Sequence, residues 1–167
     1  MGTRRIVTLG DDALRKVCRP QEKFDRRLEV LLRDMADTMY KAEGVGLAAP
    51  QVGILRRVAI VDVSSDHSRR MEMVNPEIIE TGGSQTGREG CLSLPGRQAV
   101  VTRPEKVKVR FQDRTGAWRE AEAEGLEARA ICHEVDHLDG RLYIDVMDRE
   151  LTEEEIEGRI PEDGEQE

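Results

Sequence analysis

The chain has 167 residues, with 26 Lys and Arg against 34 Asp and Glu for a net charge of −8, which leaves room for one ordinary domain and excludes two of typical size. Leu, Ile, Val and Phe number 39, enough to exclude a chain that is disordered throughout. Residues 150–167 hold nine acids and one base while residues 1–149 hold 25 of each, so no strongly basic body advertises nucleic-acid binding.

The first local signal is Asp11 to Cys18, which reads as a short helical turn. Asp25 to Ala42 follows as a helix, with Asp25 as N-cap and Leu28, Leu31, Leu32, Met35 and Met39 on one stripe. Gly44 is expected to stop it as the C′ residue. Arg57 to Val63 is β-branched and apolar. Met71 to Ile79 is extended and broken at Asn75-Pro76, and Thr81 to Ser84 reads as a turn. Lys106 to Gln112 alternates cleanly, with Val107, Val109 and Phe111 on one side, as a half-buried antiparallel strand does. Asp113 to Gly116 is a turn, and Ala117 to Glu124 is the hairpin partner. Leu126 to Leu138 returns to helical spacing and Gly140 ends it. Tyr143 to Met147 is expected to be a last short strand.

Helix, strands and helix in that order place the chain in the α+β class, with mostly antiparallel sheets and one late buried helix. Residues 1–149 are expected to form a single domain. Residues 150–167 are expected to be an acidic, solvated and mobile C-terminal tail that repels phosphate and anionic lipid. No targeting or membrane-spanning stretch is visible, so the expectation is a soluble intracellular protein. The three cysteines, Cys18, Cys91 and Cys132, do not suggest a disulfide framework. Reduced thiols are available as metal ligands or nucleophiles.

His133-Glu134-Val135-Asp136-His137 carries the strongest chemistry. On a helix, two histidines four apart share a face and reach one metal ion, and the Glu beside the first can take a proton from a water on that metal. Two imidazoles need a third ligand. Downstream there are only acids, such as Asp139 and Asp145. Upstream, Cys91 lies in Glu89-Gly90-Cys91-Leu92-Ser93, and its thiolate with two imidazoles would leave an open fourth position, as catalytic sites do. The remaining histidine, His67, reads as surface. In Gly44-Val45-Gly46-Leu47-Ala48-Ala49-Pro50-Gln51, small residues permit close approach of a substrate backbone. There Gly46 could pair with an extended peptide, and the Gln51 amide could face a developing oxyanion. A helix cap followed by a small-residue packing turn would use the same residues.

Taken together, the stretches at 44–51, 89–93 and 133–137 resemble the Gly-x-Gly-Leu-Ala-Ala-x-Gln, Glu-Gly-Cys-Leu-Ser and His-Glu-x-Asp-His motifs of the peptide deformylase family, in the family's order, over about residues 5–147. The resemblance implies sheets around the metal-bearing helix. It implies removal of the formyl group from the N-formylmethionyl end of nascent polypeptides, with release of formate. It assigns Cys91, His133 and His137 to the metal, usually Fe(II) with Zn or Ni able to replace it. Glu134 becomes general acid and base, and Gln51 with the Leu92 backbone N–H holds the oxyanion. Gly46 pairs with the substrate main chain, and Val45, Leu126 and Arg129 border the methionine pocket. It further implies a bacterial cytoplasm or an organelle of bacterial descent and work near the ribosome exit; a monomer is expected, and the acidic charge of residues 150–167 is expected to keep that tail off nucleic acid.

Two departures from the family pattern stand out. Cys132 replaces the usual Gln before the first histidine. Helix neighbours point about 100° apart, so its thiol should face away from the metal. Gly87 replaces a bulkier apolar residue and leaves one pocket wall undefined. The rival readings are a zinc endopeptidase, which would need a downstream third ligand, and a non-catalytic metal-containing peptide-binding protein, which would not need both Gln51 and Glu134.

Overall fold

Helix α1 (Arg26–Lys41) is amphipathic, and its apolar stripe of Leu28, Leu31, Leu32, Met35 and Met39 is buried. The Asp25 carboxylate caps it by accepting the Leu28 N–H at 3.2 Å, one of the four donors a helix start leaves open. At the other end the left-handed residue is Glu43 (φ 59°), and Gly44 lies one position later, its N–H bonded to Met39 O at 2.9 Å. Gly44 is therefore C″ rather than C′. Its lack of a side chain serves packing, since a Cβ there would sit 2.8 Å from Leu92 Cδ1.

The computed structural model describes residues 2–158. Strands β1 (Gly46–Ala48), β2 (Val58–Val61) and β3 (Met71–Gly82) enter a five-stranded antiparallel sheet with β6 (Lys106–Gln112) and β7 (Trp118–Glu124), in the order β1-β2-β3-β6-β7. Strands β4 (Gln85–Gly90), β5 (Gln98–Arg103) and β8 (Arg149–Glu150) form a second sheet in the order β4-β5-β8. Helix α1 covers one face of the larger sheet, packing on Leu47, Val58, Ile60 and Val74. Helix α2 (Gly125–Leu138) covers the other, with Ala48, Ala59, Val61, Met73, Val107 and Val109. That is why β2 is a continuous apolar run, for a strand covered on both faces has no polar side. Each fully buried Leu or Ile in these layers contributes about 1.5–3 kcal/mol of transfer free energy.

The break expected at Asn75-Pro76 is a bulge. Asn75 takes a left-handed backbone (φ 51°) and its amide bonds Gln21 O and Gln112 Oε1, after which β3 runs on to Gly82, through part of the expected turn. The strand expected at Tyr143 to Met147 is instead a 3-10 turn, Tyr143–Asp145. Tyr143, with Leu142 just before it, packs with Leu14, Leu94, Ala99 and Val101 as the core of the smaller sheet. Pairing with β5 falls instead to the more polar Arg149–Glu150.

The boundary expected between 149 and 150 thus falls inside a strand. Leu151 beyond it is buried, and α3 (Glu153–Ile156) follows, capped by Thr152. Arg97 grips Glu150 at 2.7 and 2.8 Å, and Arg149 grips Glu155 at 2.8 Å. Apolar burial and ion pairs fold the first part of the acidic segment onto the body. The rest of that segment, 159–167, lies outside the described residues.

Candidate metal centre and substrate cleft

The smaller sheet delivers Cys91 just past the end of β4, while α2 delivers His133 and His137 from its buried face. One donor atom from each of Cys91, His133 and His137 can be chosen so that all three lie within 4.8 Å of one another. Cys91 Sγ is 3.3 Å from His137 Nε2. His133 turns its Nδ1 toward Glu89 Oε2 at 2.6 Å, which leaves Nε2 for the cluster. One soft thiolate and two imidazoles suit a borderline divalent metal and supply three of four tetrahedral positions. Asp139 and Asp145, the downstream acids, are engaged elsewhere: Asp139 binds Arg57, and Asp145 binds Arg15 and the Leu142 N–H.

The motifs assign Glu89 no role of its own, yet it organises this site. Its buried carboxylate accepts from His133, from Arg103 Nε at 3.1 Å and from Arg129 Nη1 at 2.9 Å. Burial alone would raise its pKa, but the His133 and Arg103 hydrogen bonds outweigh that and hold it at about 2. Arg103 reaches on to Asp136 Oδ2 at 2.8 Å, so the Asp of His-Glu-x-Asp-His anchors the network. Glu89 and Asp136 are visible inside the motifs. Arg103 carries no local signal of this role, because its partners Glu89 and Asp136 lie on β4 and α2.

Glu134 is buried, and its Oε1 has no hydrogen-bond partner among the described residues. Burial pushes this carboxyl up to about 7, against the lowering effect of His133, a value suited to passing a proton at neutral pH. Gln51 is also buried. Its Oε1 accepts the Ala48 N–H at 3.0 Å, and its Nε2 donates to Ser93 Oγ at 3.1 Å and stands 3.5 Å from Cys91 Sγ. The amide is therefore held in one orientation, with its donor end toward the thiol.

A cleft of about 380 Å³ joins these groups. Val45, Gly46, Gln51, Cys91, Leu92 and Leu126 line it, as do Arg129, His133 and Glu134. His137 lies behind them. Val45 and Leu126 are exposed rim residues, whereas Arg129 is buried. A Cβ on Gly87 would stand 3.6 Å from Arg129 Nη2, so the Arg129 guanidinium fills the wall beside that glycine. Cys132 lies among α2 core residues, outside the donor cluster, and burial pushes its thiol up to about 11. His67 is exposed, stacked 4.0 Å from Tyr40.

Gly46 ends the outermost strand of the larger sheet, and a Cβ there would collide with the Glu134 carboxylate. Gly46→Ala is expected to leave metal uptake unchanged and to lower any metal-dependent hydrolysis about 10- to 100-fold, because overpacking of about 1–3 kcal/mol falls on the Glu134 carboxylate. Turnover measured alongside metal content checks this. Unchanged turnover would mean that Glu134 does not need its present position.

Two sheets that clasp a helix bearing two imidazoles, with a thiol and the buried Glu134 carboxyl beside them, make this a hydrolase that works through a metal ion. A polypeptide deformylase family model matches residues 3–153. Peptide deformylase of Caldicellulosiruptor bescii is 53% identical over 159 residues, 95% of this chain and 94% of that one. Its counterpart from Lachnoclostridium phytofermentans is 51% identical over 153 residues, 92% and 94% of the two chains. The crystal structure of a peptide deformylase from Legionella pneumophila superposes with a TM-score of 0.84 at 46% identity, covering 87% of this chain and 86% of that one.

The chain belongs to the peptide deformylase family. These are metal-dependent hydrolases that remove the formyl group from the N-terminus of nascent polypeptides. No helix among the described residues is long and apolar enough to cross a membrane.

Proposed function

We propose that Cys91, His133 and His137 hold one divalent metal ion, Fe(II) in the cell, with Zn(II) or Ni(II) able to replace it. The observation that carries this is the convergence of the three donor atoms within 4.8 Å of one another, beside the cleft that Glu134 lines. When bound, the metal acts as a Lewis acid and lowers the pKa of water toward about 7. A thiolate and Fe(II) together make the site oxygen-sensitive.

The chain's own residues do the rest. Glu134 takes the proton from the attacking water and returns it to the departing amine, whose leaving frees the N-terminus. The Gln51 amide, fixed through Ala48 and Ser93, and the Leu92 backbone N–H donate to the oxygen as it gains charge. One such donor is worth about 3–4 kcal/mol in the transition state. Gly46 pairs with the substrate main chain. Val45, Leu126 and Arg129 border the pocket for the methionine side chain.

The folded body acts as one catalytic domain and as a monomer. It works in the cytoplasm of a bacterium, or in an organelle of bacterial descent, near the ribosome exit. The acidic C-terminal residues repel RNA, so contact with the ribosome is made by another surface.

Protein purified without oxygen and loaded with Fe(II) or Ni(II) is expected to release formate from a short N-formylmethionyl peptide and to leave the N-acetyl analogue intact. A folded, metallated sample that releases none would overturn this reading.

A further inference from the structure

The charge balance of the body conceals an asymmetry. Residues 1–57 carry twelve Lys and Arg against eight acids, whereas residues 58–149 carry 13 against 17. The fold concentrates that excess. Arg4, Lys23, Arg26, Arg27 and Arg56 line one groove of about 810 Å³ at the start of α1. Two acids share it, Glu22 and Asp25, and the Asp25 carboxylate is already committed to capping the helix. Arg4 pairs with Asp34 and Arg26 with Glu29. Among the described residues, Lys23, Arg27 and Arg56 have no ion-pair partner. Cations in the first turn of a helix also oppose its dipole, so α1 gains nothing from Arg27 standing there.

We propose that this groove binds the phosphate backbone of folded RNA. Four of its five cations are arginines, whose planar forks suit phosphate oxygens. No aromatic side chain lines it, so it lacks the stacking platform that single-stranded nucleic acid requires. Of its apolar residues Leu28 and Leu31 are buried and Val30 and Ile54 half-buried, and none of the large exposed apolar side chains, Trp118 and Leu126 among them, lies in it. An anionic membrane would therefore find charge without an apolar wedge.

The choice of RNA rests on the enzyme's work on nascent chains, which emerge from an RNA-rich surface. The geometry suits that setting. The groove and the cleft lie at opposite ends of α1, a helix of 16 residues, about 24 Å apart along its axis. A molecule resting on RNA by the groove keeps its cleft clear, and the acidic remainder orients it.

The test is fluorescence anisotropy of the full metallated chain with a labelled 16-base-pair RNA stem-loop between 50 and 200 mM salt. About four phosphate contacts predict a log–log salt slope near −3.6 and about 100-fold weaker binding over that range. Lys23→Glu with Arg27→Glu is expected to lower the slope by about 2 and to weaken binding at least 10-fold. Formate release and melting temperature should be unchanged, since Glu in a first helical turn suits the dipole. Lys106→Glu, on the distant β6, should bind as the parent does.

Binding without salt dependence overturns the proposal, as does a double variant that binds like the parent. So does a DNA duplex that outcompetes the RNA. Phosphatidylglycerol vesicles held more tightly through the same two residues would make the groove a lipid-headgroup site instead. Formate release on the same samples keeps a failure of the enzymatic reading separate from a failure of this one.

Discussion

Cys91→Ala protein is expected to emerge with far less than one metal ion per chain and with no measurable deformylation. Loss of a partner that merely orients a ligand costs about 10- to 100-fold in metal affinity, and removal of one of three donors should exceed that. His133 and His137 remain on α2, but the smaller sheet then offers them nothing, because Glu89 is bonded to Nδ1 of His133 and is turned away from the cluster. The melting temperature should also lose most of its dependence on added metal, since a ligand that binds only the folded state stabilises it in proportion to its affinity. Elemental analysis after anaerobic purification is the decisive readout. A fully metallated Cys91→Ala protein would place the third ligand elsewhere.

Glu134→Ala should separate binding from chemistry. The three donors are untouched, so metal content stays near that of the parent, while turnover falls by about 100- to 10,000-fold, the range a positioned general base contributes. The fall should lie in kcat, because Glu134 Oε1 has no hydrogen-bond partner among the described residues and the proposed work of Glu134 begins with the attacking water. Retained turnover would remove Glu134 from the mechanism.

Much of the site is legible in the amino-acid sequence. The spacing of His133 and His137 is a helical property, and α2 has it. Amphipathic α1 and the alternating β6 are also readable, because each shows its period within a few residues. Strands β4 and β5 are not. Gln85-Thr86-Gly87-Arg88-Glu89-Gly90 has no apolar alternation, and it becomes a strand only by pairing along its length with Gln98–Arg103. Tyr143 to Met147 misleads in the opposite direction, since its apolar residues fill the core under the smaller sheet from a 3-10 turn and an irregular segment.

The chemistry of this protein is written in its sequence. A thiol, two imidazoles, a carboxylate and an amide stand in motifs specific enough to name the family, and local periodicity sets the helices. Which distant groups meet is a matter of tertiary structure. Cys91 joins His133 and His137, Glu89 finds Arg103 and Arg129, and Arg4, Lys23 and Arg56 gather in one groove while residues 1–149 average to neutral. The physical reason is that such meetings depend on strand pairing and on burial between layers. These are set by contacts between residues tens of positions apart, and neither a local period nor a composition contains them.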